Sequence, residues 1–177
     1  MRLSISNLLP ALDTAYGGIM GSITATGAIY LTVTANTTTV TPGTMVKCAM
    51  TSVLSDCPCS NRGFDMPVNN RLRQLRTAQT SLFITCSFSV STANPNKILS
   101  FQLKHFNAAG VAQHAERHNA SLKISSGGDQ EAGSINAFHT LEEGDYLELW
   151  GTNETDTSDF VMEHMELQLL GFTPLLS

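Results

Sequence analysis

Charge is what this sequence has least of. Asp, Glu, Lys and Arg make up only 14% of its 177 residues, where about 25% is usual, so much of the surface is Thr, Ser, Asn and Gly or is hidden in subunit contacts. Ten Lys and Arg stand against fifteen acids, a net charge of -5, and the one cation-rich stretch is Arg71, Arg73 and Arg76. A phosphate backbone finds little counter-charge here, and no nucleic-acid partner is expected. Long apolar runs are missing as well: none approaches the roughly 18 residues that span a bilayer, so no membrane partner is expected. The opening MRLSISNLLP has neither a long apolar core nor a small-residue cleavage site, and it reads as mature sequence made in the cytosol. Cysteine is scarce, with Cys48, Cys57, Cys59 and Cys86 too few to staple a chain of this size, and a reducing compartment keeps them as thiols. There is no G-x-S-x-G, P-loop or dinucleotide fingerprint, so no nucleophile is nominated and no catalysis is expected.

What the chain does have is alternation. Residues 1–18, ending Tyr16-Gly17-Gly18, carry neither a strand nor a helix period and are expected to form an extended arm ahead of one domain over 19–177. In 82–90, Leu82, Ile84, Cys86, Phe88 and Val90 share one face and Thr85, Ser87 and Ser89 the other, the pattern of a strand with one side in a core. Asn94-Pro95-Asn96 breaks it, and Leu99, Phe101 and Leu103 then alternate with Ser100, Gln102 and Lys104. After a turn at 107–110, strands are expected at 121–124 and 135–141, with a Ser/Gly-rich link between them. Glu143-Gly144-Asp145 is a tight turn into 146–150, where Leu147 and Leu149 oppose Tyr146, Glu148 and Trp150. In 160–172, Val161, Met165, Leu167 and Leu169 are read as the apolar phase, on which Glu163 is the one charge. Strands at 29–34 and 45–54 bring the count to about nine or ten, as a β-sandwich requires. Only 71–79, with Leu72 and Leu75 at helical spacing, leaves room for a short helix.

Several of these segments together resemble a known group. They are the Tyr16-Gly17 step, the Thr/Val-rich strands, Asn69-x-Arg71-Leu72-x-x-Leu75, the 82–90 strand and Asn96-Lys97-Ile98-Leu99-Ser100-Phe101. The most specific part is 141–150, LEEGDYLELW, followed by Asn153-Glu154-Thr155-Asp156-Thr157. Over roughly residues 16–172 the sequence resembles small bacteriophage capsid decoration (cement) or head-fibre proteins, whose jelly-roll domains are similar to the C1q and tumour-necrosis-factor fold. The resemblance implies an all-β jelly-roll sandwich that assembles as a homotrimer. It implies a structural protein of the virion, seated on the outer capsid surface and binding the major capsid protein, with no cofactor. The candidate contact residues are Leu8, Leu9, Leu12 and Tyr16 in the arm, with Tyr146 and Trp150 either packed under the second sheet or lining a subunit seam. The alternative is a receptor- or carbohydrate-binding fibre tip working through its loops, where Phe64 and Phe106 are the aromatics to watch.

Other residues carry weaker chemical signals. His114 and His118 are four apart, the spacing that puts two imidazoles on one helix face in zinc sites, but no Glu follows His114. Cys57-Pro58-Cys59 presents two thiols closer together than the paired cysteines of zinc ribbons and fingers, and no metal is expected. Asp156 and Asp159 lack a calcium loop's ligand ladder. His105, His139 and His164 fall on expected strands, which a cupin-type metal site would need. Asn36, Asn119 and Asn153 match the glycosylation pattern by composition alone.

Overall fold

The strict alternation at 82–90 is where the fold is organised. In the computed structural model, which describes residues 23–31, 36–54, 63–77, 79–113 and 119–172, that run lies in a 13-residue strand whose apolar phase is fully buried. Twelve strands occur among the described residues, in chain order β1 (Ile23–Leu31), β2 (Asn36–Thr38), β3 (Val46–Lys47), β4 (Ser52–Leu54), β5 (Phe64–Asp65), β6 (Leu72–Gln74), β7 (Thr80–Thr92), β8 (Lys97–Phe106), β9 (Asn119–Ile124), β10 (Gln130–Leu141), β11 (Tyr146–Asn153) and β12 (Phe160–Phe172). The arm at 1–18 lies outside the described residues. No helix among them is long and apolar enough to cross a membrane.

The strands form two antiparallel sheets. Sheet I runs β10-β7-β12-β1-β4, with β2 also on β12; sheet II runs β5-β6-β11-β8-β9, with β3 also on β11. Each sheet turns its apolar phase inward, as a sandwich demands. At the centre, Phe88 of sheet I lies 4.6 Å from Phe101 of sheet II, which in turn meets Phe160 of sheet I edge-on at 5.3 Å. Glycine makes the room for this triad. Gly133 pairs with Phe88 and Gly151 with Phe101 across their strands. A Cβ on Gly133 would stand 2.9 Å from the Phe88 ring, and one on Gly151 2.8 Å from Phe101 and 2.9 Å from Phe160.

Three sequence expectations change here, and of two placements left open one is excluded. The helical spacing at 71–79 yields no helix: Leu72 and Gln74 point into the core as the buried phase of β6, while Leu75 is 47% exposed. The segment 45–54 is two strands in different sheets, since β3 pairs with β11 and β4 with β1. The apolar phase of β12 is Phe160 and Met162, then Met165, Leu167 and Leu169, because a bulge between Met162 and His164 inserts Glu163 as an extra residue. Val161 therefore lies off the core phase, and Glu163 hydrogen-bonds Ser91 Oγ at 2.6 Å instead of entering the core. Finally, Tyr146 and Trp150 are not under the second sheet; they lie on the outward side of sheet II, while Leu147 and Leu149 face the core.

One side chain completes sheet II. Strand β6 covers Tyr146 and Leu147 of β11, and β3 covers Trp150 and Gly151 on the same edge, which leaves Glu148 and Leu149 between them. Asn70 fills that gap. Its Nδ2 donates to Leu149 O at 2.8 Å and to Cys48 O at 2.9 Å, and its Oδ1 accepts from Leu149 N at 3.0 Å. To reach them the residue adopts φ 55°, a left-handed conformation that Asn tolerates better than most.

Candidate interaction surfaces

On the outward side of sheet II, aromatic rings and cations interleave. Tyr146 stacks on Phe106 with centroids 5.1 Å apart, and Phe106 also meets Trp150 at 5.8 Å. The Arg71 guanidinium lies 3.9 Å over the Tyr146 ring, and Lys104 Nζ 4.2 Å over the Trp150 ring, each a favourable cation-π contact. Between them Glu148 is only 2% exposed. A carboxylate so buried must be compensated. Its Oε1 is 2.8 Å from Lys47 Nζ and from both Nε and Nη2 of Arg71, and its Oε2 accepts from Trp150 Nε1 at 3.0 Å. Sequence reading nominated Tyr146 and Trp150 and missed the ions that hold them. The signal was a register one: Lys104 lies opposite Glu148, and Lys47 opposite Trp150.

The outward side of sheet I is different. Successive cross-strand rows read Ser134-Ser87-Glu166 and Asn136-Thr85-Gln168, then end in Phe138-Phe83-Leu170. Phe138 is 76% exposed and its ring lies 5.0 Å from that of Phe83. Beside it is an open depression of about 400 Å³ lined by Ser81, Leu82, Phe138, His139 and Thr140. No sequence expectation named Phe83 or Phe138. Both occupy the polar phase of their strands, and a large aromatic off phase was the available clue.

The Glu143-Gly144-Asp145 turn behaves as its residues require. Gly144 takes φ 83°, and Asp145 Oδ2 accepts from Glu142 N at 3.0 Å and lies 2.9 Å from the buried His105 Nε2. His139 packs edge-on against His105 at 4.5 Å, but His164 is exposed on the far side of sheet I, so the three strand histidines do not converge. Asp156 is held by Lys97, Asn153 and Ser158, and Asp159 accepts from Val40 N and Thr39 Oγ1, so protein donors already occupy both carboxylates. The Lys97 hydrogen bond, reinforced by Ser158, pulls the Asp156 pKa down to about 2. Asn153 is fully buried, its amide bonded to Asp156 Oδ1 and Ser158 O, which rules it out as a glycan acceptor in the folded chain. Phe64 is buried and Phe106 is stacked on Tyr146, so neither is the exposed loop aromatic that a fibre tip would use. Cys48 and Cys86 are buried free thiols, both pushed up by burial, Cys86 to about 12. Leu8, Leu9, Leu12, Tyr16, Cys57, Cys59, His114 and His118 lie outside the described residues.

No protein-family model and no curated relative matches the sequence. Solved structures do match in fold. Eiger TNF from S. frugiperda aligns at TM-score 0.56 and 10% identity, over 88% of this chain and 96% of that one. The domain is a jelly roll of the C1q and tumour-necrosis-factor type. The PRD1 vertex protein P5 aligns at TM-score 0.50 and 10% identity, over 86% of this chain and 100% of that one. The globular domain of zebrafish complement 1qA protein aligns at 0.48 and 11%, over 83% and 96%. At these identities the shared property is the fold alone.

Proposed function

We propose that this chain is a structural virion protein: a homotrimeric capsid decoration protein that binds the outer surface of a phage head and bridges subunits of the major capsid protein. The observation that carries the proposal is the outward side of sheet I. Its strands contain no Lys or Arg, and it ends in the Phe138-Phe83-Leu170 row, where Phe83 and Leu170 are half-buried and Phe138 is 76% exposed. Leaving a Phe ring so exposed beside two half-buried apolar side chains is unfavourable, and apolar surface gathered in this way marks an interaction site. Like copies can bury it without stranding a cation. Support also comes from the resemblance of 141–157 to decoration proteins and from the fold likeness to a vertex protein. The arm, through Leu8, Leu9, Leu12 and Tyr16, is assigned to the shell or a neighbouring trimer, since extended segments cover large surfaces and order on binding. Tyr146 and Trp150 belong to a second contact face, on sheet II.

A protein that binds only the assembled shell stabilises it by mass action. The test has two readings. Light scattering on the purified protein gives three protomers per particle, and Phe138→Ser lowers that number. Shells stripped of the protein regain a higher melting temperature when it is added back. A wild-type protein that stays monomeric at micromolar concentration, or that leaves shell melting unchanged, refutes the proposal.

A further inference from the structure

Cations are distributed unevenly between the two sheets. Sheet I has none on its strands, whereas the outward side of sheet II gathers Lys47, Arg71, Arg73, Lys104 and Lys123. The carboxylates on that side, Asp65 and Glu148, are already ion-paired. Five cations over two acids leave a surplus of three positive charges on one face of a chain whose net charge is -5. Lys104 and Lys123 form no ion pair among the described residues. Burial lowers the Lys104 pKa, a cost that an arriving carboxylate would offset.

The geometry narrows the partner. A sheet face is broad and shallow, which suits a protein surface rather than an enclosed small ligand. Tyr146 lies between Arg71 on one side and the stacked Phe106 ring, and Lys104 covers one face of Trp150, which leaves a sugar ring little stacking platform. What the face offers instead is N–H donors standing on aromatic bases, and Trp, Tyr and Arg are the residue types that dominate binding at protein contacts. We infer that the outward side of sheet II docks an acidic protein surface, with Arg71, Lys104 and Trp150 at its centre and Lys123 at its rim. Naming that surface as the capsid shell rests on the function proposed above; the chemistry of the face does not.

The experiment titrates the full-length protein and its Lys104→Gln/Lys123→Gln variant with three soluble polyanions, poly(Glu,Tyr), heparin and oligothymidylate, and with shells stripped of the protein. At about 0.05 M salt, removing two of the surplus charges weakens binding to poly(Glu,Tyr) and to shells about tenfold. Asp129→Asn/Glu142→Gln, at exposed positions in turns off both sheet faces, changes both by less than about twofold. Lys123→Gln alone, at an exposed position, gives an intermediate loss even if the double variant folds poorly. Equal binding of poly(Glu,Tyr) by wild type and by both lysine variants overturns the inference. So does binding of heparin or oligothymidylate about tenfold tighter than poly(Glu,Tyr). Lysine-dependent binding of poly(Glu,Tyr) without any binding to shells upholds the docking face and sinks the decoration reading. Shells bound equally by wild type and variants uphold decoration and overturn the face.

Discussion

Replacing Asn70 by Ala should be among the most damaging single changes outside the aromatic core. The side chain makes three hydrogen bonds, two donated to Cys48 O and Leu149 O and one accepted from Leu149 N. Leu149 O keeps a second partner, Cys48 N at 3.0 Å, so the alanine variant strands the Leu149 N–H and the Cys48 carbonyl. A buried polar group left unsatisfied costs about 1–3 kcal/mol, and an alanine at φ 55° adds about 1–2 kcal/mol of left-handed strain. With two groups stranded, the expected loss is therefore about 3–8 kcal/mol, a large share of the roughly 5–15 kcal/mol that stabilises a typical domain. Urea unfolding followed by the fluorescence of Trp150, the one tryptophan, measures it. Protein concentration must be held fixed, because any self-association adds to apparent stability. Asn70→Gly relieves the backbone strain but not the lost bonds, and should fall between wild type and alanine. Asn70→Asp keeps the acceptor but turns a carboxylate toward two carbonyls, and should be no better than alanine. An alanine variant within about 1 kcal/mol of wild type at unchanged m-value would show that a side chain is not standing in for a strand in this sheet.

Further outcomes follow from the core, the loop and the thiols. Gly151→Ala forces the Phe101 and Phe160 rings apart from contacts of 2.8 and 2.9 Å and should cost about 1–3 kcal/mol by the same urea assay, as overpacked sites do. Glu148→Gln keeps the shape but leaves Lys47 and Arg71 without their counter-charge, and a loss of about 1.5–3 kcal/mol is expected from the weakened charged hydrogen bonds. The Asp156 carboxyl, held at about 2 against about 3.9 in an unfolded chain, contributes stability that is complete above pH 4 and disappears as pH falls through 2. Melting temperatures of wild type and Asp156→Asn should accordingly converge over that interval. Iodoacetamide at pH 8 followed by peptide mass spectrometry should leave Cys48 and Cys86 unmodified until urea is added, since burial keeps both as thiols.

How much of this was legible in the sequence depended on whether a residue's partner was near in the chain. The 82–90 strand, the Asn94-Pro95-Asn96 and Glu143-Gly144-Asp145 turns and the opposed phases of 146–150 were readable, because alternation and turn chemistry are local. From them and the resemblance of 141–157 came the jelly roll. Where the reading failed, a distant residue decided the outcome. Leu72 and Leu75 looked helical, but β11 recruits Leu72 into a sheet. The segment 45–54 looked continuous, but its two ends pair with strands about a hundred residues later and about twenty earlier. The bulge at Glu163 shifts a phase that alternation assumes constant. The interaction faces were half legible: Tyr146 and Trp150 announced themselves as aromatics, while Phe83 and Phe138 stood on the polar phase of strands read only for their apolar one, and Arg71, Lys104 and Glu148 converge only through strand register.

The crossing between β3 and β4 has a mechanical consequence. Residues 48–51 carry the chain from one layer of the sandwich to the other, with Cys48 buried and Ala49 N tied to Thr38 Oγ1 at 2.9 Å. Four residues give the layers almost no slack, so neither can peel away while the other stays intact. Amide exchange in β4 and β11 should share one opening rate, and a pull applied along the chain should meet a single yield point rather than a staircase.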